Sequence, residues 1–182
     1  MMKNGVTSSY KIAFGGIIAA ASLVIMLITG FIPIGTYACP ALAGFLLAAV
    51  VIELGAGWAW AVFAAVALAS VFFAGDKEAA LYYMLFFGFY PILKAKIETI
   101  PTRWGQRAVK WGVFNLCMVA AFYVGLYLLS IPREAFTLGG VYLPLVFLLF
   151  GNFFFIVYDI AATRLITVYI QVWRKKLFKN VH

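Results

Sequence analysis

The stretch AGDKEAALYYMLFFGFYPILKAKIE, from Ala74 to Glu98, constrains this chain more than any other. It opens on the charged triplet Asp76, Lys77 and Glu78, runs almost wholly apolar from Ala79 to Leu93, and closes on Lys94, Lys96 and Glu98. That is the layout of one membrane crossing. Asp76 is placed to cap a helix and Glu78 to sit in its first turn, where free N–H groups and the positive dipole end favour anions; Lys94 and Lys96 suit the opposite end. Pro91 removes a backbone hydrogen bond inside the run and, with Gly88 just before it, predicts a kink or break. Lipid tolerates such a break only where protein or water re-satisfies the backbone.

The rest of the chain has the same character. Of 182 residues, 66% are hydrophobic and 11% charged, with mean hydropathy +1.04, too apolar for one soluble core of ordinary size. Six crossings of roughly 20 residues each would use about two-thirds of the chain, which predicts an all-α polytopic membrane protein: one compact domain, residues 1–182, with six transmembrane helices. The net charge of +8 is not read as a nucleic-acid footprint, because the basic residues lie in the connections and the tail. Cys39 and Cys117 show no metal-ligand spacing, and the sole histidine is the last residue, His182. No metal and no cofactor is therefore expected. The first apolar run has no small-residue cleavage site and is as long as a full span, so it reads as retained helix.

In chain order, the crossings are expected at Ile12 to about Ile32, about Ala38 to Leu54, Trp58 to about Ala74, the stretch above, about Trp111 to Leu129, and about Val141 to Val172. Between the fourth and fifth, ETIPTRWGQRAVK reads as the longest connection, with Trp104 and Trp111 as interfacial residues. Gly15, Gly16, Ala19 and Ala20 in the first crossing pair at a spacing of four, and such small-residue faces let helices approach closely. Packing inside the protein and docking of a partner helix are both open. Lys3, Lys11, Lys94, Lys96, Arg103, Arg107, Lys110, Arg164, Arg174, Lys175, Lys176 and Lys179 fall on one side, and only Lys77 and Arg133 on the other. The positive-inside rule then puts both termini in the cytoplasm and the protein, multi-pass, in the cell membrane. The basic tail WRKKLFKN suits anionic lipid headgroups.

Catalysis finds little support, since HExxH, GxSxG, the P-loop and paired acidic motifs are all absent from the sequence. No enzyme is expected. Glu53, opposite Lys94 and Lys96 in depth, and Asp159, in one helix with Arg164, read as interfacial ion pairs. The outer side is more suggestive. Its links gather Thr36, Tyr37, Asp76, Lys77, Glu78, Tyr82, Tyr83, Arg133, Glu134 and Tyr142, with Asn152 about three turns into the last helix. Aromatic and apolar walls with a few polar groups suit a small-molecule pocket, with Asp76, Lys77 and Glu78 at its rim and Tyr37, Tyr82, Tyr83 and Asn152 in its lining. Capping and interfacial anchoring explain the same residues one at a time, and an amide at the depth of Asn152 also serves as glue between helices.

The chain resembles the substrate-binding S components of the energy-coupling factor transporters, prokaryotic importers of vitamins and micronutrients. The resemblance rests on length, on six crossings with both ends inside, and on the first segment KIAFGGIIAAASLVI, which is similar to that family's small-residue first helix. The stretch DKEAALYYMLFFGFYPILKAKIE also resembles segments of uncharacterised bacterial membrane proteins related to that group. The resemblance implies a subunit that captures a solute from outside, with a separate transmembrane T component docking on the first helix and separate ATPase subunits supplying energy. Membrane lipid, solute and these subunits are the expected partners. A protein that carries no solute and only binds partner helices is the alternative.

Overall fold

The computed structural model describes residues 7–130, 132, 137–138 and 141–174. The chain divides into two compact units, residues 1–96 and 97–182. Among the described residues, five helical stretches are long and apolar enough to cross a membrane: Ser8–Phe31, Gly35–Leu54, Ala56–Phe73, Arg103–Tyr127 and Pro144–Val172. They are apolar nearly all round and bury only a minority of their length in protein. Leu145, Leu149, Phe153 and Phe154, for example, are exposed. In water such surfaces would drive association; lipid is the solvent they suit, and the chain is a membrane-embedded α-helical protein.

In the first unit, α1 (Ser8–Leu27) begins at Thr7, whose hydroxyl accepts the amide of Tyr10, and ends in a single 3-10 turn, Ile28–Phe31. Helix α2 (Gly35–Leu54) starts three residues ahead of the expected position and carries Pro40 inside it. Proline has no N–H to give, so the carbonyl of Thr36 is released from the helical ladder. One residue, Gly55 at φ 88°, joins α2 to α3 (Ala56–Phe73). That left-handed backbone is cheap only for glycine. Helix α1 packs against both α2 and α3. Their shared core of Met26, Leu47, Val50, Val62 and Val66 is closed by Ala79, Ala80 and Tyr83 from the next segment.

That segment, expected as the fourth crossing, is jointed. It consists of α4 (Lys77–Tyr82), a π-helical turn over Tyr83–Phe87, and α5 (Tyr90–Ile97). The break therefore begins before Gly88. The amide of Gly88 reaches the carbonyl of Tyr83 at 2.8 Å, and the carbonyl of Phe89 accepts from Ile92 and Leu93 to start α5. Pro91 is the second residue of α5, where its missing N–H costs nothing. A Cβ on Gly88 would lie 2.7 Å from the Phe63 ring, so the joint is held tightly against α3.

The second unit contains α6 (Arg103–Tyr127), a two-residue antiparallel ladder and α7 (Pro144–Val168), which runs on through a π-helical turn, Tyr169–Trp173. In the ladder, β1 (Thr137–Leu138) pairs with β2 (Val141–Tyr142). Helix α6 starts at Arg103, eight residues before the expected Trp111, so the long connection shrinks to residues 98–102. The polar first turns remain helical because a helix of 25 residues is about 37 Å long and outreaches a hydrocarbon layer of about 30 Å. Phe114 and Phe155 stack at 4.6 Å between α6 and α7.

Glycine substitutions should separate tight packing from open surface. A Cβ at Gly35 would meet the Thr29 carbonyl oxygen at 2.5 Å, whereas Gly16 and Gly57 have open space. Gly35→Ala should cost about 1–3 kcal/mol through overpacking. Gly16→Ala and Gly57→Ala should stay within about 0.5 kcal/mol of wild type or gain slightly. Thermal unfolding of the detergent-purified variants tests this; equal losses at all three positions would contradict the packing.

Candidate functional site

The richest polar arrangement lies at the end of the first unit where α1 stops, α2 begins and α3 turns into α4. Gly30, Gly35 and Gly75 make it possible. A Cβ on Gly75 would sit 2.8 Å from the Leu27 carbonyl oxygen, and one on Gly30 would sit 3.0 Å from that of Gly75, so these turns touch backbone to backbone. Asp76 is then within reach of both neighbouring elements. Its carboxylate accepts the Thr36 hydroxyl at 2.6 Å and the Glu78 amide at 2.8 Å, the latter being the helix cap expected from the sequence. Its own amide donates to the Thr29 hydroxyl at 3.0 Å, and that hydroxyl donates to the Met26 carbonyl.

The neighbouring side chains take distinct places. Lys77 turns back to donate to the carbonyls of Val71 and Phe72 at 2.9 and 3.2 Å, closing the C-terminus of α3. Glu78 stands ahead of the apolar run. Partial burial raises its carboxyl above the usual range, and the Asp76 carboxylate two residues away pushes the same way. Tyr37 and Tyr82 pair with ring centroids 5.0 Å apart. Tyr83, adjacent to Tyr82 and so about 100° round the helix, is fully buried, and its hydroxyl has no hydrogen-bond partner among the described residues. The buried hydroxyls of Ser22 and Ser70 share that condition. Such groups are rare in native interiors.

Of the residues expected around a solute site, Thr36, Asp76 and Glu78 thus form one bonded cluster, with the Tyr37 and Tyr82 pair on the same two elements. Asn152 belongs to the second unit. Its amide and that of Asn115 on α6 exchange two hydrogen bonds of 2.9 Å, and each also donates to the carbonyl one turn back, Leu148 for Asn152 and Trp111 for Asn115. This is the interhelical role weighed for Asn152, with a partner the sequence did not single out. Tyr142 is placed in β2 by its backbone, while its side chain and the residues Arg133 and Glu134 lie outside the described residues.

One further cluster, Lys110 with Glu98 and Asp159, was missed. Lys110, expected in a connection, is buried on α6, where its ammonium meets Glu98 at 2.9 Å and both oxygens of Asp159 at 3.0 and 3.1 Å. Asp159 therefore pairs across to α6 through Lys110, where a pair with Arg164 in its own helix was expected. The small-residue patch of α1 also divides. Gly15 faces Val62 of α3 at 3.3 Å from its would-be Cβ, and Ala19 packs on the core, whereas Gly16 and Ala20 are exposed. Adjacent positions on a helix differ by about 100°, so the two pairs cannot share one neighbour.

The chain matches no known family model, no curated protein and no solved structure.

Two predictions come from this geometry. Asn152→Leu strands the Asn115 amide and should cost about 1 kcal/mol; Asn115→Leu/Asn152→Leu should cost less than the two single changes summed, as a double-mutant cycle in thermal stability would show. Glu78 gives a pH test. With its folded value raised, the group binds more protons folded than unfolded, so stability should rise as pH falls through the folded value and level off below the ordinary carboxylate range. That step should vanish in Glu78→Gln; a step of unchanged size there would assign it to another group.

Proposed function

We propose that this protein is the solute-binding membrane subunit of an energy-coupling factor type importer, capturing a vitamin-like small molecule from outside the cell. One observation carries the reading: the jointed segment α4–α5 has at its mouth the Asp76, Thr29 and Thr36 cluster beside the Tyr37 and Tyr82 pair. Interrupted membrane helices whose free backbone meets polar side chains are where transporters hold solutes. Counting the jointed segment as a sixth crossing puts both termini on the cytoplasmic side by the positive-inside rule, and the Asp76 cluster outside. Thr36, Asp76, Lys77 and Glu78 then form the polar rim and Tyr37 and Tyr82 the aromatic wall, with Tyr83 turned into the core behind it. In this reading Gly16 and Ala20, open on α1, receive the T component, with separate ATPase subunits driving uptake in the cytoplasmic membrane.

A second reading, a structural or assembly protein that binds partner helices without a solute, is favoured by one specific observation. Asp76 and Asn152 already spend their hydrogen bonds on the protein itself. The deciding experiment is purification from a rich source followed by mass spectrometry of co-purifying small molecules. A stoichiometric ligand whose binding falls in Glu78→Ala and Tyr82→Ala supports the importer subunit, and an empty protein with a bound partner helix supports the alternative. Sidedness is checked with single cysteines at Lys77 and Arg103, which should label from opposite faces with an impermeant reagent. Gly16→Leu and Ala20→Leu should weaken partner association while leaving the stability of the isolated protein nearly unchanged; equal loss of both would return the patch to internal packing.

A further inference from the structure

Three cations stand in the first two and a half turns of α6, and the fold treats them in opposite ways. Lys110 is buried and neutralised by Glu98 and Asp159. Arg103 and Arg107 are exposed, and no carboxylate pairs with either among the described residues. The Arg107 guanidinium lies instead over the Trp104 indole, 5.5 Å from the ring centroid. Trp104 is 79% exposed and Trp111, on the same helix, 51%. On a helical projection Arg103, Arg107, Trp111 and Trp104 fall within an arc of about 100°, and they span about 12 Å along the axis. That length covers a headgroup layer of about 5–8 Å and reaches the hydrocarbon edge.

From this we infer that the first turns of α6 bind the headgroup of an anionic phospholipid. Two unneutralised guanidiniums supply bidentate donors that match a phosphate. Trp111, an apolar body with one N–H, sits at the depth where headgroup meets acyl chain, and Trp104 stands about 10 Å further out along the helix beside the guanidiniums. Stacking on Trp104 holds Arg107 in place without a carboxylate, leaving its outer N–H groups for the lipid. An exposed indole would be poorly placed in water, and the excess length of α6 over the hydrocarbon layer puts these turns in the headgroup layer whichever face of the membrane they occupy.

Native mass spectrometry of the full chain in mild detergent, titrated with phosphatidylglycerol or phosphatidylcholine, tests the site. Wild type should retain phosphatidylglycerol in preference. Affinity for it should drop about fivefold for each arginine lost in Arg103→Gln and Arg107→Gln, with phosphatidylcholine retention unchanged. Arg103→Lys/Arg107→Lys, which keeps both charges, should keep most of the preference and controls for folding. Equal retention of the two lipids by wild type would overturn the inference. So would an undiminished preference in Arg103→Gln/Arg107→Gln, or displacement of the lipid by inorganic phosphate at the same concentration, which would make the site one for a soluble anion.

Discussion

Backbone contact between glycine-bearing turns is what the first unit depends on. Gly30, Gly35 and Gly75 let the end of α1, the start of α2 and the turn before α4 approach to distances that a Cβ at Gly35 or Gly75 would forbid and one at Gly30 would crowd. Only at that distance can the Asp76 amide reach Thr29 and its carboxylate reach Thr36, so the hydrogen-bonded cluster follows from the backbone contact. Close approach is a general route to helix association in lipid, where apolar side chains gain nothing from leaving solvent. Here it also positions one carboxylate at the mouth of the jointed segment.

In the reading that counts the jointed segment as a crossing, the joint answers a constraint of the membrane. Each N–H and C=O released within the hydrocarbon must find a partner. The chain meets this by widening the helix into a π turn before Gly88, so that Tyr83 and Gly88 stay bonded, and by restarting at Tyr90 with Pro91 where no donor is needed. The second unit uses side chains to the same end. Asn115 and Asn152 satisfy each other, and the buried Lys110 holds two carboxylates. Polar groups are thus matched in pairs or triads at particular depths, which fixes the register of α6 against α7 more sharply than apolar contact would.

Much of this was legible before any coordinates. Apolar runs of roughly 20 residues announced the helices, the cap at Asp76 was readable from the triplet Asp76, Lys77 and Glu78, and a break near Gly88 and Pro91 was expected. The start of α6 was missed because charge was taken to end a helix, although a helix that outgrows the hydrocarbon keeps its polar turns folded in the headgroup layer. Asn152 was flagged as needing a partner. Its partner, Asn115, lies 37 residues away, and a single sequence carries no signal that joins them.

Composition and hydropathy alone determined that this chain is helical and embedded in a membrane, because lipid admits apolar segments of this length in few other forms. They determined too which residues carry charge and where helices could be capped. Tertiary structure decided the rest: that Lys110 is buried while Arg107 is open, that Gly15 faces α3 while Gly16 faces outward, and that Asp76 bonds to Thr36. The physical reason is that pattern fixes which residues share a helix face, whereas the neighbour that face meets depends on helix order, rotation and approach distance, and those are set by contacts between segments far apart in the chain.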